Sequence, residues 1–116
     1  MNSVIENIFD GFTVDGSKIP VSFMFYDGHE DTYITYQNSD TDNSYSGDDD
    51  LLGYVVYYDF DIYSKGDYFN IIKSVKELLK ANNFEWQASR TSPDFYENDT
   101  GYYHKTLCFA YLKEDD

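Results

Sequence analysis

Residues 51 to 82, LLGYVVYYDFDIYSKGDYFNIIKSVKELLKAN, switch hydrophobic period within a few positions. From Tyr54 the alternate residues Tyr54, Val56, Tyr58, Phe60 and Ile62 form a continuous apolar or aromatic row. The other alternation carries Asp59 and Asp61, with Tyr57 and Tyr63 in the same phase. A period of two with acid on one side predicts a strand half-buried against a core. Ser64-Lys65-Gly66 then breaks the strand, and Asp67 stands where a carboxylate can accept the free N–H groups of a helix start. Tyr68, Ile72, Val75 and Leu79 follow at spacings of 4, 3 and 4, widened by Ile71 and Leu78. Lys73, Lys76 and Lys80 lie together on another face, so the helix is amphipathic. Strand and helix must bury their apolar faces, and each offers the other a partner.

The rest of the chain supplies further strands. Ser3 to Phe9 predicts a short helix ended by Gly11, and Thr13 to Lys18 a polar connection. Pro20 to Tyr26 and Thr32 to Gln37 alternate as strands around Asp27-Gly28, which predicts an antiparallel hairpin. Asn38 to Asp50, NSDTDNSYSGDDD, has five aspartates, no base and one aromatic residue, and is expected to be a mobile acidic loop. Asn82-Asn83 ends the main helix, because Asn tolerates the left-handed conformation. Phe84 to Arg90 is expected as a strand, Thr91 to Gly101 as a loop held by Phe95 and Tyr96, and Tyr102 to Lys113 as the last strand. Strands and helices are segregated rather than strictly alternating. The expected fold is α+β: one domain over residues 1–116, with a single mostly antiparallel sheet and both helices on one face.

Charge narrows the function classes. The formal net charge is −14, which opposes nucleic-acid phosphates and anionic membrane surfaces. It favours a basic partner, mimicry of DNA, or a surface that DNA passes without sticking. The 13 Tyr and 9 Phe are suited to half-buried strands and protein interfaces. Cys108 is the single cysteine, so no internal disulfide forms; it sits in the strand-like run LCFAYL and reads as a small buried side chain. Neither a secretory leader nor an apolar span long enough for a membrane helix is legible, so a soluble, intracellular product is expected.

Signatures of chemistry are weak. Asp40, Asp42 and Ser44 fit the first ligand positions of a calcium loop, but Tyr45 stands where Gly is needed and Leu51 where Glu is needed. Asp48, Asp49 and Asp50 are adjacent acids, which rarely converge on one cation. His29 and His104 have no third ligand at zinc spacing, and no GxSxG, GxGxxG or phosphate loop occurs. No cofactor, metal or enzymatic activity is expected.

Three stretches then act as a set: IPVSFMFYDGHEDTYITYQ, DFDIYSKG leading into the KELLK helix, and SPDFYENDTGYYHK leading into the last strand. Together they resemble the small tail-completion or tail-terminator proteins of long-tailed phages and prophages of Gram-positive bacteria, over roughly residues 18 to 113. The resemblance implies a structural virion protein that closes as a ring, usually sixfold, on the tail tube. Such a ring stops tube polymerisation, presents a surface to the head–tail connector proteins and lets DNA pass without specific binding. Its expected location is the head-proximal end of the virion tail, after assembly in the host cytoplasm. A closed ring needs two different complementary patches on each subunit. The candidates are Lys73, Lys76 and Lys80 on the helix, and Tyr57, Asp59, Asp61 and Tyr63 on the strand. Asp40, Asp42, Asp48, Asp49 and Asp50 are candidates to face the lumen or a partner. A head–tail adaptor, a tail-tube protein and an acidic DNA-mimic inhibitor are the alternatives.

Overall fold

A computed structural model describes residues 2–28, 30–46 and 51–114. In chain order the elements are α1 (Asn2–Ile8), β1 (Thr13–Val14), β2 (Ser17–Lys18), β3 (Val21–Phe23), β4 (Thr32–Ser46), β5 (Leu51–Ser64), α2 (Phe69–Ala81), β6 (Glu85–Trp86), β7 (Phe95–Glu97) and β8 (Tyr102–Glu114). The main sheet has the order β3-β4-β5-β8-β6, with β7 also paired to β8. All of its pairs are antiparallel except β3 with β4. The fold is α+β and dominated by its sheet.

The strand–turn–helix unit forms as its pattern demands. Val56, Tyr58, Phe60 and Ile62 of β5 are buried, as are Ile71, Ile72, Val75 and Leu79 of α2. Asp67 accepts the Phe69 N–H at 3.0 Å and so caps the helix from just outside it. At the other end Asn83 adopts φ +69°, and the Phe84 N–H bonds back to the Leu79 carbonyl. Ile5 and Phe9 from the α1 end join the same core, where the Phe9, Tyr36 and Phe109 rings each pack against Phe60. Both helices therefore cover one face of the sheet.

Four expectations change. First, β3 and β4 are parallel, in the register Val21↔Ile34 to Phe23↔Tyr36, and do not form an antiparallel hairpin. The reversal happens early, at Met24, where φ is +68° and the Phe25 N–H bonds the Phe23 carbonyl in a γ-turn. The chain then returns with Tyr26 stacked on Tyr33. A side chain at Gly28 would run into the Tyr26 ring, so Asp27-Gly28 serves this close approach and not the turn of an antiparallel hairpin.

Second, Asn38 to Ser46 is strand, paired along β5 with register shifts after Asn38 and on either side of Tyr45. Composition argued for a loop, but β5 supplies backbone hydrogen bonds that a solitary acidic segment lacks. At the first irregularity the Asn38 amide donates to the carbonyls of Asp40 and Tyr57, both at 3.1 Å. Residues 47–50, including Asp48, Asp49 and Asp50, lie outside the described residues. Third, Thr13 to Lys18 is a small hairpin turning at Asp15-Gly16, whose φ values of +53° and +82° match the turn chemistry of that pair. Fourth, the strand after α2 is only Glu85–Trp86 and is followed by a 3-10 turn, Ala88–Arg90. The expected loop from Thr91 to Gly101 contains β7.

Past β6, strands β4, β5 and β8 run on together, with pairs out to Gly53↔Glu114 and Ser46↔Leu51. The longest dimension is 51 Å. Among the described residues the outer edge of β4 is paired only at Ile34 to Tyr36.

Candidate interaction surface

The helices leave one sheet face uncovered by either of them. Because β5 alternates, burying Tyr58, Phe60 and Ile62 beneath α2 turns Tyr57, Asp59, Asp61 and Tyr63 the other way. The register then aligns their neighbours in rows. Tyr33, Tyr63, His104 and Phe95 are direct cross-strand partners on β4, β5, β8 and β7. Their rings follow one another at 4.7 Å for Tyr33–Tyr63, 4.2 Å for Tyr63–His104 and 6.4 Å for His104–Phe95. Tyr26 extends the stack beyond Tyr33 at 4.6 Å, and Tyr102 meets the Tyr33 ring edge-on at 5.5 Å. Such contacts each contribute about 0.5–1.5 kcal/mol beyond the area they bury. Desolvation first, then the nearby Asp61 charge, pushes the Tyr63 phenol up to about 12.

The next row is polar. Asp61 accepts the Thr106 hydroxyl and faces the His104 ring nitrogen at 3.4 Å. It is a satisfied, largely covered group (18% side-chain exposure) rather than a solvent-facing acid. Asp59 pairs across the strands to Cys108. Burial raises the Asp59 carboxyl above its ordinary range, and burial with the Asp59 charge pushes the Cys108 thiol up to about 11. A buried thiol held protonated in this way is no nucleophile at neutral pH. In the row beyond, the Arg90 guanidinium lies 3.8 Å from the Tyr57 ring centroid and 3.5 Å from Asp40. Asp40 is thus paired, and the 3-10 turn that carries Arg90 drapes this end of the face. Asp42 lies in β4 opposite Val55.

The lysines stand on the opposite layer. Lys73 and Lys80 are exposed, while Lys76 places its ammonium 3.6 Å from the Trp86 ring centroid and is half-buried there. The structure therefore separates the candidate residues into an aromatic, acidic sheet face and a basic helix face on opposite sides of the sheet. Among the described residues no group of three or more His, Cys, Asp or Glu side chains is arranged to hold a metal ion. No described helix is long and apolar enough to cross a membrane.

Reading β5 alone found Tyr57, Asp59, Asp61 and Tyr63 but missed Tyr26, Tyr33, His104, Phe95 and Arg90. Those join the surface through inter-strand register and a 3-10 turn, which no single-strand period encodes. No protein-family model and no curated protein matches the chain. Three stretches singled out in the sequence meet in space. IPVSFMFYDGHEDTYITYQ contributes Tyr26 and Tyr33, DFDIYSKG contributes Tyr63, and SPDFYENDTGYYHK contributes Phe95, Tyr102 and His104.

Proposed function

We propose that this chain is a structural subunit of a phage tail, a terminator that closes as a ring on the tail tube. The observation that supports the proposal is that convergence: segments far apart in sequence, which resemble tail-completion proteins as a set, build one stacked aromatic surface. A ring subunit needs two unlike patches that fit each other when repeated head to tail. The sheet face supplies aromatic rings and acids, and the opposite layer supplies Lys73 and Lys80 without ion-pair partners among the described residues. Aromatic side chains at the centre of such a contact carry much of its energy, while flanking charges set its orientation. The excess of acid also suits a passage through which DNA slides without being held. The ring, sixfold in this proposal, would contact the tube protein on one side and the connector proteins on the other, at the head-proximal end of the tail.

The test is light scattering coupled to size-exclusion chromatography, with negative-stain images of the same peak, alone and with purified tail tubes. Closed rings of discrete mass, or discrete caps on tube ends, are expected. Long self-assembled polymers would make the chain a tube protein instead. A monomer that ignores tube ends at high micromolar concentration would overturn the assignment.

A further inference from the structure

Beside the turn that joins β5 to α2 lies a cavity of about 470 Å3, away from the stacked sheet face. Tyr68, Phe69 and Tyr103 line it with aromatic rings, and Asp67, Asp94 and Lys65 line it with charge. Phe69 is 71% exposed at the start of α2 and contributes nothing to the core. Its ring centroid lies 6.3 Å from that of Tyr68, which lies 6.3 Å from that of Tyr103, at inclinations of 53° and 41°. Tyr96 backs Tyr103 at 4.9 Å. One small group can therefore touch more than one ring face at once.

The charge at this cavity selects the ligand. Asp94 Oδ1 accepts the Tyr68 hydroxyl and lies 3.5 Å from the Lys105 ammonium. The Tyr68 bond foremost holds the Asp94 carboxyl below its ordinary range, so it stays ionised. Its Oδ2 has no hydrogen bond among the described residues. Lys65 does not neutralise the site, because its ammonium sits 3.8 Å from Asp31 and over the Tyr102 ring at 5.1 Å. With the Lys105 ammonium already held by Asp94 Oδ1, an anion would meet the remaining Asp94 oxygen, the Asp67 carboxylate and the negative faces of the rings. A neutral apolar group would strip water from Asp94 and return no hydrogen bond. A cation satisfies both the rings and the free oxygen.

We propose that this cavity is an aromatic cage for a cationic nitrogen, and that its occupant is an arginine or lysine side chain of a partner protein. Exposed Phe69 and Tyr103 in the lining, with exposed Tyr96 packed on Tyr103, offer the apolar area a protein surface would cover, and the net charge of −14 draws a basic partner. The inference stands independently of the ring.

The experiment is an NMR titration of the full 15N-labelled chain with Nα-acetyl-arginine amide, with its uncharged citrulline counterpart and with tetramethylammonium. Saturable shifts are expected at Phe69 and Tyr103 for the arginine compound, with much weaker binding of the citrulline one. Phe69→Ala should weaken the arginine compound roughly two- to fivefold, the worth of one exposed cation–ring contact. Asp94→Asn should weaken it about tenfold, as for a lost charge-assisted bond. Phe69 is exposed enough for its variant to keep the native spectrum. Equal binding of arginine and citrulline compounds, or no shift at these residues, would overturn the proposal. Tighter binding of tetramethylammonium than of the arginine compound would overturn the assignment to a side chain.

Discussion

Tyr63 is the centre of the aromatic stack, so removing its ring tests whether the stack holds the sheet face together. Its ring lies between Tyr33 at 4.7 Å and His104 at 4.2 Å. Two ring contacts, each worth about 0.5–1.5 kcal/mol, give roughly 1–3 kcal/mol beyond area burial. Truncating a fully buried aromatic to alanine costs about 3–5 kcal/mol, and Tyr63 is only half-buried. Tyr63→Ala should therefore destabilise the monomer by about 2–4 kcal/mol. The Tyr63 hydroxyl makes no hydrogen bond among the described residues, so Tyr63→Phe should lie within about 0.5 kcal/mol of the parent. Urea unfolding followed by Trp86 fluorescence and circular dichroism measures both. A double-mutant cycle of Tyr63→Ala with Tyr33→Ala should return a coupling of about 0.5–1.5 kcal/mol. A loss under ~1 kcal/mol for Tyr63→Ala, or an equal loss for Tyr63→Phe, would refute the stack as a source of stability.

Three other perturbations follow from groups on or near the sheet. Burial raises the Asp59 carboxyl in the folded state, so the unfolded chain holds that carboxylate more easily. This term therefore opposes folding at neutral pH and fades as pH falls through the folded value towards the ordinary one of 3.8. Asp59→Asn should raise the urea midpoint at pH 7, with the advantage shrinking by pH 4; an unchanged or lower midpoint at pH 7 contradicts this. The buried Cys108 thiol, held near 11, should be roughly a thousandth ionised at pH 8 and resist Ellman's reagent until urea unfolds the chain. Fast labelling of the native protein would show that β8 opens. The Tyr36 hydroxyl is buried without a hydrogen-bond partner among the described residues, so Tyr36→Phe should leave stability unchanged or raise it by up to ~1 kcal/mol. A loss greater than that in the same urea assay would reveal a bonding partner.

How far the fold could be read from the chain depended on where its information is local. The β5–α2 unit was legible because burial there follows a period, and Asp67 and Asn83 punctuate it at both ends. The parallel β3–β4 pair was not legible, because one residue with positive φ, Met24, decides it against a stronger turn signal at Asp27-Gly28. The long β4 was hidden for the opposite reason. Its second half has the composition of a loop and becomes strand through pairing with β5. The sheet-face residues of β5 could be named, but the row Tyr33–Tyr63–His104–Phe95 exists only once four strands are in register. The cage at Tyr68, Phe69 and Tyr103 joins a helix start to a distant strand, and no local pattern announces such a meeting.

Among the described residues the outer margin of β4 is unpaired from Gln37 to Ser46, and this has a consequence for solubility. Free strand margins recruit other chains into intermolecular sheets, and proteins guard them with charge and irregular backbone. Here the guard is the aspartate content that made the segment resemble a loop, together with its register shifts. Acidity along this strand is then a brake on fibril growth. Asp40→Asn weakens that brake and leaves the same margin readier to seed a sheet.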